Sequence, residues 1–262
     1  MVIDGHVHVW PDHIAARALG TPSPDIIRFG DGTVAGSLAA MDAAGIDRSV
    51  CLAVSDTPER LDSANRFVGG LDPARFIAFG SVHAGRSPEE NLLSLRAHGA
   101  RGIKVHPLFQ GGSLADPALL EVLDALGDEF PAVFHVGPET AGGDNTRATP
   151  AQLAHIIREL PRLPVIAAHF GGYHDYEGAM EHVIGLPVHL DTSWPPTMAA
   201  IAPERVRAII ERHGSDRVVF ATDWPMADPA AEVAAIEALG LPAQDTEAIL
   251  GGNLARLLGL AS

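Results

Sequence analysis

Polar side chains capable of chemistry stand at the ends of short apolar runs in this sequence. The chain holds 13 histidines, and several of them close runs that otherwise look like buried strands. Burying a polar group is unfavourable unless it is paired, so a buried strand that ends in histidine or aspartate indicates chemistry at that end. The residues in such positions are His6, His8, Lys104, His106, His135, His169 and Asp223.

The first run carries its two histidines in the pattern His-x-His. Side chains two residues apart on a strand share a face, so His6 and His8 point the same way, as do Lys104 and His106. Neutral imidazoles together with a carboxylate suit Zn²⁺ and related divalent ions. His6, His8, one further histidine and Asp223 would supply four ligands. A pair of exposed strand histidines also occurs by chance, and His106, His135 or His169 alone could be a core residue bonded to a backbone carbonyl. Their joint placement at strand ends favours a metal site.

Eight apolar runs are predicted to be the strands that position these residues. Their composition is apolar almost throughout, as expected of strands that are buried on both faces. The predicted strands begin near Val2, Ser49, Arg75, Arg101, Ala132, Pro164, Pro187 and Arg217.

Stretches with helical spacing separate the runs. Thr33–Gly45 predicts a helix that ends at a glycine, and Gln244–Leu258 is predicted to be the last helix. Four further helices are predicted to open with a capping residue followed by proline, at Ser87, Asp116, Thr149 and Asp228. This alternation in 262 residues predicts an α/β fold, a single-domain (β/α)8 TIM barrel over residues 1–262, with its active site at the C-terminal strand ends. The competing doubly wound sheet usually has fewer strands, and no Gly-x-Gly-x-x-Gly follows the first strand.

The composition excludes several classes of partner. The chain contains 18 Lys and Arg residues and 33 Asp and Glu residues. The resulting net charge of −15 disfavours binding to nucleic acid and to anionic membrane surfaces. Cys51 is the single cysteine, so no internal disulfide can form. The first residues lack the basic and apolar regions of a signal peptide. We therefore expect a cytoplasmic protein that acts on a small molecule, with a homodimer or higher homo-oligomer left open.

Long connections after strands supply further candidates for substrate binding. They are 10–32, 138–148 and 194–203. Trp10 could form one wall of an aromatic pocket, His174 could line it, and Arg147 could clamp a substrate carboxylate. The alternatives are core packing for the tryptophan and exposure to solvent for the other two. Asp191 and Ser193 share one face of the seventh run, where they could hydrogen-bond to a metal ligand.

Four strings in this sequence resemble the motifs of the amidohydrolase superfamily, in order from the first strand to the eighth. The strings are Asp4-Gly5-His6-Val7-His8-Val9-Trp10, Gly102-Ile103-Lys104-Val105-His106-Pro107, Ala168-His169-Phe170-Gly171-Gly172 and Thr222-Asp223-Trp224-Pro225. The later strings resemble the amidohydrolase-related branch. This branch contains aminocarboxymuconate-semialdehyde decarboxylase, resorcylate decarboxylases and pyrone-dicarboxylate lactonase.

The resemblance implies specific roles for these residues. One divalent metal would be bound by His6, His8, His135 and Asp223, and His169 would be a catalytic histidine beside it, with Asp223 as the second catalytic group. Lys104 lies one inward layer below His106, which favours a positive charge beneath the site over a carboxylated lysine that bridges two metals. His106 and Lys104 are accordingly predicted to bind substrate.

The function implied is metal-assisted hydrolysis of a small lactone, amide or cyclic ester that bears a carboxylate. The ion would be Zn²⁺, with Mn²⁺ as the alternative. The same ligand set could support nonoxidative decarboxylation of an aromatic or muconate-type acid. Two other readings stay open, a lactonase that works without metal and a binding barrel that has lost its activity.

Overall fold

The structure of the chain is a computed structural model that describes residues 1–20, 28–138 and 140–260. One sheet contains eight strands whose neighbours follow the order of the chain. The strands are β1 (Ile3–Val7), β2 (Arg48–Leu52), β3 (Phe76–Ser81), β4 (Gly102–Val105), β5 (Ala132–Phe134), β6 (Val165–Ala167), β7 (His189–Asp191) and β8 (Val218–Val219). The structure therefore confirms all eight predicted strands.

The chain beyond β8 returns to β1. The N–H of Gly5 donates to the carbonyl of Phe220 at 2.8 Å, and the N–H of His8 donates to the carbonyl of Trp224 at 2.7 Å. A parallel bridge also joins Val7 to Trp224. A doubly wound sheet would leave β1 and β8 unconnected by such bonds, so these contacts confirm the predicted (β/α)8 barrel.

Helices alternate with the strands, and at least one follows each strand. They are α1 (Asp12–Ala18), α2 (Val34–Ala44), α3 (Leu61–Gly69), α4 (Pro88–Ala97), α5 (Pro117–Leu126), α6 (Pro150–Glu159), α7 (Tyr176–His182), α8 (Pro203–His213), α9 (Pro229–Glu237), α10 (Ala243–Glu247) and α11 (Asn253–Leu257). The predicted starts of α4, α5, α6 and α9 are confirmed. Ser87 and Thr149 form capping boxes, and Asp116 and Asp228 accept a backbone N–H through their side chains.

The last predicted helix, Gln244–Leu258, is interrupted in the structure. A π-helical segment, Ala248–Gly252, separates α10 from α11. The N–H of Phe220 donates to the carbonyl of Ile249 at 2.9 Å, a bond that a regular helix would have used internally. Gly251 packs against the backbone of Met1 so closely that a Cβ would overlap it. The wider turn thus lets the helix approach both β1 and the end of β8.

Two compact units divide the described residues. The first unit is drawn from Met1–Cys51, Asp72–Ile77 and His189–Ser262, and the second from Leu52–Leu71 and Ala78–Val188. Buried strand residues form the centre of each, such as Ile3 and Leu190 in the first and Ile103 and Phe134 in the second. A single domain over 1–262 stays a prediction. Across the described ranges, no helix combines the length and the hydropathy of a membrane span.

Candidate metal centre and a series of stacked histidines

Three predicted ligands of the first unit converge. His6 and His8 Nε2 lie 3.2 Å apart. Oδ1 of Asp223 lies 3.4 Å from the first of these nitrogens and 3.5 Å from the second. His6 is almost fully buried, whereas the side chains of His8 and Asp223 are each 14% exposed, so the cluster is partly accessible to solvent. Within the part of the chain that the structure describes, this is the one group of metal-ligating side chains with such spacing.

The spacing of the three atoms fits a divalent ion. Zinc binds histidine nitrogen and carboxylate oxygen at about 2.0–2.1 Å, and two ligands of a tetrahedral ion then lie about 3.3 Å apart. The three separations of 3.2, 3.4 and 3.5 Å match that edge. Two imidazoles and one carboxylate are also donors that zinc and manganese accept. The donor set and its geometry therefore fit the predicted metal.

A buried carboxylate fixes the ring of His6. Nδ1 of His6 donates to Oδ2 of Asp191 at 2.8 Å, and both side chains are buried. Ser193 donates to the other oxygen of Asp191 from its N–H at 3.1 Å and from its hydroxyl at 2.6 Å. The proton of His6 thus lies on Nδ1, which leaves Nε2 as the lone pair that faces His8 and Asp223. The face shared by Asp191 and Ser193, noted in the sequence, meets a predicted metal ligand.

Asp223 lies beyond the last strand. β8 ends at Val219, four residues before the aspartate, so Asp223 is held by irregular backbone and does not end the strand as the sequence predicted. Its N–H donates to the carbonyl of His6 at 2.8 Å. Asp4, the second residue of β1, accepts a hydrogen bond from the hydroxyl of Thr222 at 2.6 Å. Burial raises the pKa of Asp4 to about 7, although hydrogen bonds from Thr222 and His6 oppose that rise.

The second unit contains a continuous series of rings. His106 stacks on His135 with ring centroids 4.1 Å apart and an interplanar angle of 10°. Nδ1 of His135 lies 3.1 Å from Nε2 of His169, so one of the two nitrogens donates to the other. His169 contacts Tyr173 at a centroid distance of 5.1 Å, and Tyr173 contacts His174 at 4.0 Å. Four predicted site residues therefore belong to one series.

Left-handed backbone coincides with predicted site residues in both units. Among the described residues, positive φ without glycine occurs at His169 (58°), Phe170 (53°), His174 (51°) and Asp223 (59°). This conformation costs an L-residue about 1–2 kcal/mol. Such strain persists where the surroundings enforce it, and it collects at functional sites. The two predicted catalytic residues, His169 and Asp223, are both among the four.

The other predicted residues are placed as follows. The ring of Trp10 stacks on His8 with centroids 6.0 Å apart, and Thr33 pairs with it through a backbone bridge. Lys104 is buried in β4, in register with Ser81 and Val133. Arg147 is half-buried, and its carbonyl accepts the N–H of Leu114. His135 belongs to the second unit, so its place in the metal set stays a prediction.

Two residues at these clusters, Asp4 and Phe109, have no role predicted from the sequence. Asp4 bonds to the backbone of His6, and an acidic residue inside an apolar strand was the signal for it. Phe109 meets the ring of His106 edge-on at 4.6 Å and is 59% exposed. An aromatic residue three positions after a predicted site histidine was the only signal for it in the sequence.

Solved structures of similar fold cover almost the whole chain. A 5-carboxyvanillate decarboxylase from Sphingomonas paucimobilis matches with a TM-score of 0.72 and 17% identity over 99% of both chains. The enzyme of that name from Novosphingobium aromaticivorans, complexed with manganese and a nitrobenzoic acid, matches with a TM-score of 0.73 and 18% identity over 99% of this chain and 96% of that one. A candidate 2-pyrone-4,6-dicarboxylic acid hydrolase from Pseudomonas putida gives 0.69 and 20% over 98% and 97%.

These likenesses support the barrel fold. Identities this low carry no information about the substrate. No curated protein sequence matches the chain. The sequence profile of the amidohydrolase family matches residues 3–260, from the start of β1 to beyond α11. The chain therefore belongs to the amidohydrolase family.

Proposed function

We propose that the protein is a metal-dependent hydrolase that opens a small lactone, amide or cyclic ester bearing a carboxylate. The observation that carries the proposal is the convergence of His6 Nε2, His8 Nε2 and Asp223 Oδ1 within 3.5 Å of one another. The hydrogen bond from His6 to Asp191 supports the metal site further, because it holds His6 in the tautomer that a metal ligand needs.

The residues that would hold the ion are His6, His8 and Asp223, with His135 as the proposed fourth ligand. Zn²⁺ is favoured by the imidazole-rich set, and the manganese bound in the Novosphingobium relative makes Mn²⁺ the alternative. A divalent ion acts as a Lewis acid on a carbonyl and lowers the pKa of water toward about 7.

The proton transfers of the reaction are assigned to two side chains. The carboxylate of Asp223 accepts the proton from the attacking water as its oxygen bonds to the substrate carbonyl carbon. His169 then donates a proton to the leaving oxygen or nitrogen as the old C–O or C–N bond breaks. Nδ1 of His135, 3.1 Å from Nε2 of His169, can orient that ring. One water is consumed, and the proton held by Asp223 restores the histidine through solvent.

Substrate contacts are assigned to the remaining predicted residues. Lys104 and Arg147 supply positive charge for a carboxylate, and His106 and His174 supply hydrogen-bonding rings. Trp10, stacked beside His8, supplies an apolar wall.

The second candidate function is nonoxidative decarboxylation of a small aromatic acid. It is favoured by the parallel stacking of His106 on His135, with Phe109 edge-on to His106, since aromatic rings can pack against a planar substrate. In this reaction the bond to the carboxyl carbon breaks, CO₂ leaves, and a proton from Asp223 or His169 replaces it on the ring.

Metal analysis of protein purified without chelators tests the first requirement of both functions. We expect one divalent ion per chain in the wild type and less in His6→Ala. His155→Ala is the matched control, because this histidine is half-exposed on α6 and should leave the metal content unchanged.

A substrate screen separates the two reactions. Hydrolysis forms a new carboxylate without gas, whereas decarboxylation releases CO₂ in equal amount to the product. Turnover of lactones that survives metal removal would replace the proposal with metal-independent lactonase activity. Bound metal without turnover on any lactone, amide or aromatic acid would favour a binding barrel.

A further inference from the structure

Asp4 and Thr222 form a buried network of hydrogen bonds around Asp223, here called the clasp, and none of the roles assigned above uses it. Asp4, 1% exposed, accepts three hydrogen bonds. Its Oδ1 accepts the N–H of His6 at 3.1 Å and the N–H of Thr222 at 3.0 Å. Its Oδ2 accepts the hydroxyl of Thr222 at 2.6 Å. One carboxylate therefore ties the backbone of one metal-ligand candidate to the residue before another.

The Thr222 hydroxyl reaches across the aspartate. While donating to Asp4, its Oγ1 accepts the N–H of Trp224 at 3.0 Å. The residue enclosed between them, Asp223, has the left-handed φ of 59°. Its own N–H is bonded to the carbonyl of His6 at 2.8 Å. Backbone on both sides of Asp223 is thus fixed by bonds that converge on Asp4 and β1.

We propose that Asp4 and Thr222 are positioning residues that hold Asp223 in its left-handed conformation, so that its carboxylate points at the two histidines. This inference rests on the metal-binding part of the proposed function. Without the clasp, Asp223 would relax toward the ordinary negative φ that an aspartate prefers. Its carboxylate would then leave the position 3.4 and 3.5 Å from the two imidazole nitrogens.

The competing explanation is that the clasp only stabilises the join between β1 and the chain after β8. A second buried threonine provides a control for it. Thr192 bonds to the same segment one residue before Thr222, because its hydroxyl accepts the N–H of Ala221 at 2.9 Å and lies 3.1 Å from the Ala221 carbonyl. Thr192→Val removes a threonine of equal burial with two backbone bonds, but it leaves the clasp on Asp223 intact.

Cobalt titration of metal-free protein tests the proposal without an activity assay. Co²⁺ is the probe because its visible absorption reports both affinity and ligand geometry. Thr222→Val, of almost equal shape, should weaken Co²⁺ binding by about 10- to 100-fold, the range that loss of a bond supporting a ligand produces. It should also alter the visible spectrum. Thr222→Ser keeps the hydroxyl and should bind within about twofold of the wild type.

Melting temperatures of the metal-free proteins complete the design. Thr192→Val should lower the melting temperature about as much as Thr222→Val and keep the cobalt affinity and spectrum of the wild type. If Thr222→Val does not fold, Asp4→Asn takes its place, because the amide keeps an acceptor for the two N–H groups and loses the one for the hydroxyl. Its cobalt affinity should fall as well.

The outcomes distinguish failure of the metal-binding function from failure of the positioning role. Wild-type protein that binds no Co²⁺ would overturn the metal-binding function and this inference with it. Wild-type binding that Thr222→Val and Asp4→Asn leave unchanged would overturn the positioning role alone. An equal loss of affinity in Thr192→Val would reduce the clasp to a structural join.

Discussion

Replacing Asp191 with asparagine should disable the metal centre by moving one proton on His6. Oδ1 of Asp191 accepts two bonds from Ser193, one of them from a backbone N–H that cannot reverse its direction. In Asp191→Asn the amide oxygen must stay on that side, which turns the NH₂ group toward Nδ1 of His6. Two donors would then face each other over the present 2.8 Å bond unless His6 changes tautomer. The new tautomer carries its proton on Nε2, where the metal should bind.

The magnitude follows from the burial of the pair. Both side chains are almost fully buried, so water cannot relieve two facing donors, and the change of tautomer is the way to keep a hydrogen bond there. Loss of such a partner reduces metal affinity by about 10- to 100-fold, which corresponds to about 1.4–2.7 kcal/mol. The metal-free protein should lose about 1 kcal/mol in the free energy of unfolding, because a hydrogen bond to a charged carboxylate is replaced by one to a neutral amide.

Two measurements check this prediction. Competition with a chelator gives the zinc affinity, and long-range ¹H–¹⁵N spectra of the metal-free protein report which nitrogen of His6 carries the proton. Asp116→Asn is the matched control, because asparagine caps α5 as well as aspartate does and should change neither quantity. A variant that keeps the Nδ1 proton and binds zinc as tightly as the wild type would contradict this role of Asp191.

Three further predictions concern catalysis, pH and packing. Asp223→Asn keeps the shape but removes the basic group, so turnover should fall by about 10²–10⁴-fold while the melting temperature holds or rises; near-normal turnover would contradict its catalytic role. Burial lowers the pKa of His189 from 6.5 to about 4, so the unfolded chain alone takes up this proton between those values, and stability falls as pH falls from 6.5 to 4. In His189→Gln, this loss of stability at acid pH, measured by denaturant titration at each pH, should be smaller by at most about 3 kcal/mol. An unchanged dependence of the free energy of unfolding on pH would contradict the contribution of His189. Gly137→Ala should cost about 2–4 kcal/mol, because φ is 101° and a Cβ would overlap the Tyr173 backbone. Gly142→Ala, with φ of 73° and no described atom within 4 Å of a Cβ, isolates the backbone cost of about 1–2 kcal/mol; equal losses in the two variants would rule out the overlap.

The strands were predictable because short runs that are apolar almost throughout are typical of strands buried on both faces. The helix starts at Ser87 and Thr149 were equally predictable, since capping depends on local hydrogen bonds. The break at Ala248–Gly252 was not, because the periodicity of the segment continues through it. What interrupts the helix is the approach of Met1 and Phe220, which are distant in sequence.

The residues that could form a site were identifiable from their types and spacing alone. The His-x-His spacing placed His6 and His8 on one face, since strand geometry alternates side chains with a period of two. The contacts that hold the site in place depend on the folded chain. Asp191 meets His6 across 185 positions of the chain, and Asp4 meets Thr222 across 218. The left-handed backbone of Asp223 and His169 is also a tertiary outcome, because local preference opposes it and only bonds from elsewhere in the fold can maintain it.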